Sequence, residues 1–180
     1  FKADLQPLKD SAELTRPGNP LYVINRSGPQ DLVLLDTPDF DTGARGEYTN
    51  RGITRMALEA SDIFIYIFTN SNYNNRDNTD FMSEMLTGIG TRKCFLVYRV
   101  YPNFSDAEVR EHAMTVADGI YGADGGDHIL GIYRTDEDNQ VAAGEQFMKL
   151  RPVTESAAEF DAALATINAP QLRLELHGSI

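Results

Sequence analysis

The sequence predicts a three-layer αβα domain built on a mainly parallel sheet. Three observations lead to this prediction: short apolar runs of strand length, amphipathic helical spacing between them, and polar residues directly after each run. Strands that alternate with helices connect in parallel through right-handed crossovers. The predicted buried strands lie at 31–35, 62–69, 93–100 and 128–133.

The N-terminal segment is expected to contribute loop and one antiparallel hairpin at the sheet edge. Residues 1–20 are polar, contain three prolines and have room for one short helix at 7–14. A strand is predicted at 21–25, followed by a Gly-Pro turn and the apolar run at 31–35. We therefore expect these two strands to pair with each other.

The remaining elements follow from helical spacing of apolar residues. Helices are predicted at 47–60, 81–89, 105–120 and 156–167. The tail at 171–176 alternates apolar and polar residues as an edge strand does. The sequence thus predicts a single domain over residues 1–180, with its core at 21–167 and a tail at 168–180.

Composition disfavours several classes of function. The net charge of −11, without a basic cluster, is repelled by nucleic-acid backbones and by anionic membranes. No apolar stretch has the length of a membrane span, so membrane association is expected only through regions outside this chain. The single cysteine, Cys94, lies in an apolar run and is expected to be a small buried side chain in a reducing, cytoplasmic setting.

A carboxylate at the end of an apolar run is the strongest functional signal. Asp36 directly follows the predicted strand at 31–35, and Pro38 stops the ladder two residues later. Ligands of open α/β sheets bind at the carboxyl ends of the strands, and nucleotide-hydrolysing proteins hold Mg²⁺ there through such an Asp. The plainer interpretation is a polar turn that precedes the next helix.

Polar residues follow all four predicted strands. They lie at 36–39, 70–73, 98–103 and 134–138. If the strands are parallel, these segments converge on one edge of the sheet, where a phosphate-bearing ligand is expected.

The order of LVLLDTPD, ASDIFIYIF and KCFLVY, with helices between them, resembles the G domain of phosphate-loop GTPases. It is most similar to the dynamin-related and ribosome-assembly branches. The resemblance covers about 21–167 and implies a P-loop GTPase-like fold. It also implies binding and hydrolysis of GTP, or another purine nucleoside triphosphate, with Mg²⁺, and a homodimer across the nucleotide face.

The resemblance assigns roles to residues of the Asp-rich segment. Asp36 matches the magnesium-side Asp, and Thr15 matches the switch-one Thr that closes over Mg²⁺. Thr37 and Pro38 belong to the same nucleotide-contacting motif as Asp36. Asp39 stands where the family has a Gly whose N–H holds the γ-phosphate, so this position departs from the pattern.

The base-recognition positions also depart from the family pattern. Tyr98, Arg99 and Tyr101 occupy the place of Asn-Lys-x-Asp, and Arg134 lies where the last base-contacting loop is expected. Arg99 is expected to stack on a base as the Lys stem does. Because Tyr101 replaces the guanine-reading Asp, the sequence leaves guanine and adenine open.

No phosphate-loop motif occurs in the 180 residues. In the family this motif lies upstream of the first strand seen here, so the domain is expected to be incomplete at its N-terminus.

Two alternative functions remain open. A degenerate G domain that serves as an interaction module fits the altered base motif, with the Asn-rich segment 70–80 as its partner surface. Asp39 and Asp41 form an Asp-x-Asp pattern similar to haloacid-dehalogenase-like phosphatases, in which the first Asp is the nucleophile. The acidic clusters at 124–128 and 136–138 are expected to be solvated, and His112 is expected at the surface.

Overall fold

The computed structural model describes residues 6–15, 21–27, 31–38, 43–88 and 90–178. Contacts divide the chain into two compact units, Phe1–Leu34 and Leu35–Ile180.

The first unit contains a small parallel ladder instead of the predicted hairpin. Strand β1, Gln6–Pro7, pairs in parallel with β2, Leu21–Tyr22. A 3₁₀ helix at Ser11–Thr15 lies between them, and Asp10 Oδ1 accepts from the Ala12 N–H at its start. The predicted antiparallel pairing of 21–25 with 31–35 is therefore wrong.

The apolar segment 31–35 has no regular secondary structure in the described residues. Three of its apolar side chains face solvent: Val33 is 80% exposed, Leu34 67% and Leu35 47%, whereas Leu32 is half-buried. The prediction of a buried strand here is wrong because an apolar run specifies burial only where a neighbouring strand is available to pair with it.

The second unit is organised by a four-stranded sheet of order β3-β4-β5-β6. The strands are β3 Phe64–Thr69, β4 Cys94–Val100, β5 Ile129–Asp136 and β6 Arg151–Pro152. The first three are mutually parallel, and β6 pairs antiparallel with β5. The mixed α/β class with a mainly parallel sheet is confirmed, but the antiparallel edge is β6 and not the predicted hairpin.

Six helices accompany the sheet in the described residues. They are α1 Gly43–Ala60, α2 Arg76–Thr87, α3 Asp106–Tyr121, α4 Asn139–Ala142, α5 Phe160–Ala165 and α6 Ala169–Gly178, with a 3₁₀ turn at Gly125–His128. None of these helices combines the length and the apolar character that a membrane span needs.

The tail forms helix α6 and not the predicted edge strand. Asn168 Oδ1 accepts from the Gln171 N–H, which caps the first turn. Leu172 and Leu176, one helical turn apart, are half-buried, whereas Leu174 is 67% exposed. The alternating leucines that suggested a strand are therefore two residues on one face of a helix, Leu172 and Leu176, and one exposed residue, Leu174.

Two apolar clusters lie on the two faces of the sheet. The larger contains alternate residues of β4, such as Leu96 and Tyr98, with Leu58 of α1 and the inner faces of α2 and α3. The smaller contains Phe95 and Val97 of β4 with partly buried residues of α5. Because β4 is buried on both faces, its sequence is an almost continuous apolar run. The strand could therefore be predicted from the sequence.

Candidate functional site

The carboxyl ends of the three parallel strands lie side by side. Thr69 of β3 pairs with Arg99 of β4, and Arg99 pairs with Thr135 of β5. The loops 70–75 and 101–105, together with residues 137–138, therefore border one edge of the sheet, which we call the carboxyl edge. The expected convergence is observed for these three segments, whereas Asp36 does not follow a strand.

The Asp36 segment precedes α1. Asp36 is exposed, and Thr37 and Pro38 are half-buried. The Pro38 carbonyl accepts a long hydrogen bond of 3.5 Å from Thr54 Oγ1 of α1. Asp39 lies outside the described residues, and the described backbone at Thr15 ends the 3₁₀ helix of the first unit.

The loop after β3 is held by its own asparagines. Asn72 Oδ1 accepts from both the backbone N–H (2.6 Å) and the hydroxyl (3.0 Å) of Thr69. Asn75 caps α2 by accepting from the Asn78 N–H. These side-chain bonds to backbone give the Asn-rich segment a defined conformation at the carboxyl edge.

Tyr98 lies beneath this loop with its ring buried. Its hydroxyl is 2.9 Å from Asn70 Oδ1 and 2.9 Å from His112 Nδ1. The Tyr98 ring stacks on Phe68 at 4.6 Å between centroids. Burial, together with the neighbouring Tyr73, raises the pKa of Tyr98 to about 12. The Tyr98 side chain is thus bound within the core at the position where the resemblance implied a nucleotide contact.

Arg99 and Tyr101 have the opposite placement and face solvent. The Tyr101 side chain is 54% exposed. Arg99 Nε lies 3.5 Å from Glu137 Oε1, and these side chains are 48% and 37% exposed. An ion pair of this exposure contributes about 1 kcal/mol or less, so a ligand can displace it at little cost.

Arg134 is buried in a charged cluster at the end of β5. Its guanidinium, 4% exposed, donates to Asp136, to Asp106 Oδ1 at 2.8 Å and to the Phe104 carbonyl at 2.7 Å. Arg151 of β6 binds the same Asp106 through two further bonds of 2.7 and 2.8 Å. We call Asp106, Arg134, Asp136 and Arg151 the Arg134 cluster. The contacts of this cluster join α3, β5 and β6, so the partners of Arg134 give it a structural role.

These contacts shift the ionisation of the cluster. Hydrogen bonds from Arg151, followed by those from Arg134, lower the pKa of Asp106 to about 2 from its ordinary 3.8. The same contact with Asp106 raises the pKa of Arg151. Asp106 and Arg151 are therefore ionised throughout the neutral range.

We expect acid to weaken the cluster. Because the pKa of Asp106 is lower in the folded than in the unfolded protein, its contribution is complete above pH 3.8 and is lost as the pH falls towards 2. The carboxylate is 40% exposed, so solvent screening reduces the contribution to about 1 kcal/mol. Denaturant unfolding at pH 5 and pH 2 should show a larger loss for the wild type than for Asp106→Asn. The exposed Asp118→Asn on the same helix is the control and should behave as the wild type, and equal losses in all three proteins would contradict the assignment.

The N-terminus of α3 is closed by its own side chains. Ser105 Oγ accepts from the Glu108 N–H, and Glu108 Oε2 accepts from the Ser105 N–H at 2.8 Å. Hydrogen bonds from Ser105 lower the pKa of Glu108. Because a carboxylate already occupies this helix start, a phosphate group is not expected there.

In the described residues, no group of three or more His, Cys, Asp or Glu side chains is arranged to hold a metal ion. Mg²⁺ in nucleotide sites needs less from the protein, since one or two carboxylates share it with phosphate oxygens and water. The exposed Asp36 meets that requirement. A magnesium–nucleotide complex is therefore compatible with the residues present.

Sequence reasoning missed three residues of this edge. His112 is half-buried and bound to Tyr98, so its prediction as a surface residue is corrected. Asp106 and Arg151 pair across 45 positions of sequence. No local pattern reports such a contact, although Ser105 and Glu108 at cap spacing did mark the start of the helix.

A scan of protein-family models and searches of curated proteins and of solved structures find no match for this chain.

Proposed function

We propose that this chain is a nucleoside-triphosphate-binding domain of the GTPase type. In the complete protein, the nucleotide and Mg²⁺ lie over the carboxyl edge and the triphosphate is hydrolysed. The observation that supports this best is the parallel arrangement of β3, β4 and β5, which brings three polar loops to one edge. Such an edge is where open α/β sheets bind phosphate-bearing ligands.

Arg99 and Tyr101 are the side chains proposed to contact the base. Both are exposed at the end of β4, and Arg99 has only a surface partner to give up. A guanidinium and a phenol ring each offer a flat face for stacking on a purine. Tyr98 and Arg134 are proposed to act indirectly, by supporting the loops on either side.

Asp36 is proposed to hold Mg²⁺ through water. When bound, the metal neutralises developing phosphate charge, and the protein contributes positioning. Asp36 is exposed and belongs to the same unit as the sheet. Thr37 and Pro38 remain candidates for contacts with the nucleotide, the role of Thr15 stays a prediction from the sequence, and a homodimer across the nucleotide face remains part of the proposal.

The test is calorimetric titration of the complete protein with GTP and with ATP in the presence of Mg²⁺. Arg99→Ala should weaken binding about tenfold, the loss expected for one stacking contact of 1–2 kcal/mol. Arg110→Ala, at an exposed position of α3, is the matched control and should leave the affinity unchanged. Asp36→Ala should abolish turnover with the fold intact by circular dichroism. Equal affinity in the wild type and Arg99→Ala would remove Arg99 from the site, and unchanged hydrolysis would remove Asp36.

One observation favours the second candidate, an interaction module without nucleotide turnover. Tyr98 and Arg134, at two positions of the family's base-contacting motifs, have side chains bound to internal partners. No heat of binding for the complete protein with millimolar GTP or ATP would favour this alternative. The segment 70–80 would then be the proposed partner surface.

A further inference from the structure

The imidazole of His112 is enclosed by aromatic rings. Tyr73 stacks on it at 4.4 Å between centroids with an interplanar angle of 11°. Phe104 meets it edge-on at 6.0 Å. The plane of the ring is therefore fixed, and the position of its proton depends on the hydrogen bonds of the two nitrogen atoms.

Hydrogen-bond donors and acceptors assign the proton at Nδ1. The Tyr98 hydroxyl has one proton and donates it to Asn70 Oδ1 at 2.9 Å. The contact of 2.9 Å between Tyr98 and His112 Nδ1 then requires a proton from the imidazole. His112 is thereby held with its proton on Nδ1, and in the neutral ring the lone pair is on Nε2.

Nε2 is open to a ligand. Within the described residues it has no hydrogen-bond partner, and it is not one of the buried polar atoms closed off from water. Glu108, one turn earlier on α3, is the charged group that interacts with the ring, and Tyr73 and Tyr98 are the titratable groups that face it from the loop and the sheet. A nearby carboxylate favours neutral or cationic donors over anions.

We propose that His112 is a preorganised proton-accepting site that binds a hydroxyl or N–H donor at Nε2. An imidazole whose Nδ1–H is held by an acceptor, with Nε2 free, is the arrangement of a general base. The proposal is independent of nucleotide binding.

Long-range ¹H–¹⁵N spectra of the whole chain test the assignment above the titration range of histidine. His112 should show its deshielded, unprotonated nitrogen at Nε2. His128 and His177 are internal references, since neither ring has a nitrogen hydrogen bond among the described residues. An Nε2–H ring at His112 in the wild type would overturn the proposal.

Two substitutions of Asn70 are expected to have opposite effects on the tautomer of His112. In Asn70→Ala the Tyr98 hydroxyl loses its acceptor and turns to donate to Nδ1, so His112 should shift to the Nε2–H form. In Asn70→Asp the carboxylate still accepts from Tyr98, so the Nδ1–H form should remain. The same tautomer in both folded variants would overturn the role of the hydrogen bond between Tyr98 and Asn70. If Asn70→Ala fails to fold, the wild-type spectrum and Asn70→Asp decide.

Diethylpyrocarbonate probes access to Nε2. The Nε2 lone pair forms a bond to a carbonyl carbon, the bond from that carbon to the bridging oxygen breaks, and ethyl carbonate leaves with the Nδ1 proton. Mass spectrometry of native protein should find His112 modified alongside the exposed His177. An unmodified His112 where His177 is fully modified would show that Nε2 is closed and would overturn the site.

Discussion

Replacing both acids of the Arg134 cluster, as Asp106→Asn with Asp136→Asn, should lower the free energy of unfolding by about 3–5 kcal/mol. The reason is the burial of Arg134, whose side chain is 4% exposed and keeps only neutral acceptors, such as the Phe104 carbonyl and the amide oxygens of the new asparagines, once the charges are gone. A buried cation without a counter-ion is among the most costly features of a folded protein. Denaturant unfolding measures the loss.

The same argument predicts a rescue. Adding Arg134→Met to the double variant removes the unpaired charge and replaces it with a shorter apolar side chain, so most of the stability should return. Arg151→Met is the control, because its guanidinium is 52% exposed and its loss should cost about 1 kcal/mol or less. A triple variant no more stable than the double one would contradict the charge argument, and would mean that the side chains contribute through shape alone.

The thiol of Cys94 should react with alkylating reagents about a thousandfold more slowly than an ordinary cysteine at pH 8. Cys94 is fully buried on β4, and burial raises its pKa to about 12 from the ordinary 9.0. Three pKa units reduce the reactive thiolate by that factor, and exclusion of the reagent slows the reaction further. A hydrogen bond with Tyr121 opposes the shift but is the smaller effect.

Thiol titration in native buffer and in denaturant measures this difference. Denatured protein should react at the ordinary rate. Glu111→Cys in a Cys94→Ala background places a thiol at an exposed position of α3 and should react at the ordinary rate without denaturant. Native Cys94 reacting as fast as this control would contradict its burial in β4.

The Arg134 cluster lies at the same edge of the sheet as the hydrogen-bonded residues Asn70, Tyr98 and His112, which we call the Tyr98 relay. The cluster joins α3, β5 and β6. The relay joins the loop after β3 to β4 and α3. Between them, Arg99 and Tyr101 are exposed at the end of β4. The proposed ligand contacts are thus flanked by rigid supports, as a binding site on a parallel sheet requires.

Much of the second unit was predictable from the sequence. The runs that became β3, β4 and β5 were identified by length and composition, and the helices between them imposed parallel pairing. The start of α3 was identifiable from its capping residues. These features are local, because strand and helix patterns repeat within a few residues.

The candidate site was predictable in outline but not in detail. The sequence indicated three segments that follow strands, but it wrongly placed Asp36 after a strand. Nor did it distinguish the exposed Arg99 from the buried Arg134. It also did not pair Tyr98 with His112, which come from different elements. The role of a side chain depends on the residues that it contacts, and these residues are distant from it in the sequence.

By itself, then, the sequence determined the mixed α/β class, the three parallel strands and the edge at which their polar ends meet. Tertiary structure alone decided that the apolar run at 31–35 does not form a strand and that the tail is helical. It also decided that the side chains of Tyr98 and Arg134 are buried and bind partners within the protein. The physical reason is that periodicity is a property of neighbouring residues, whereas strand pairing, burial and the satisfaction of charges depend on contacts between distant ones.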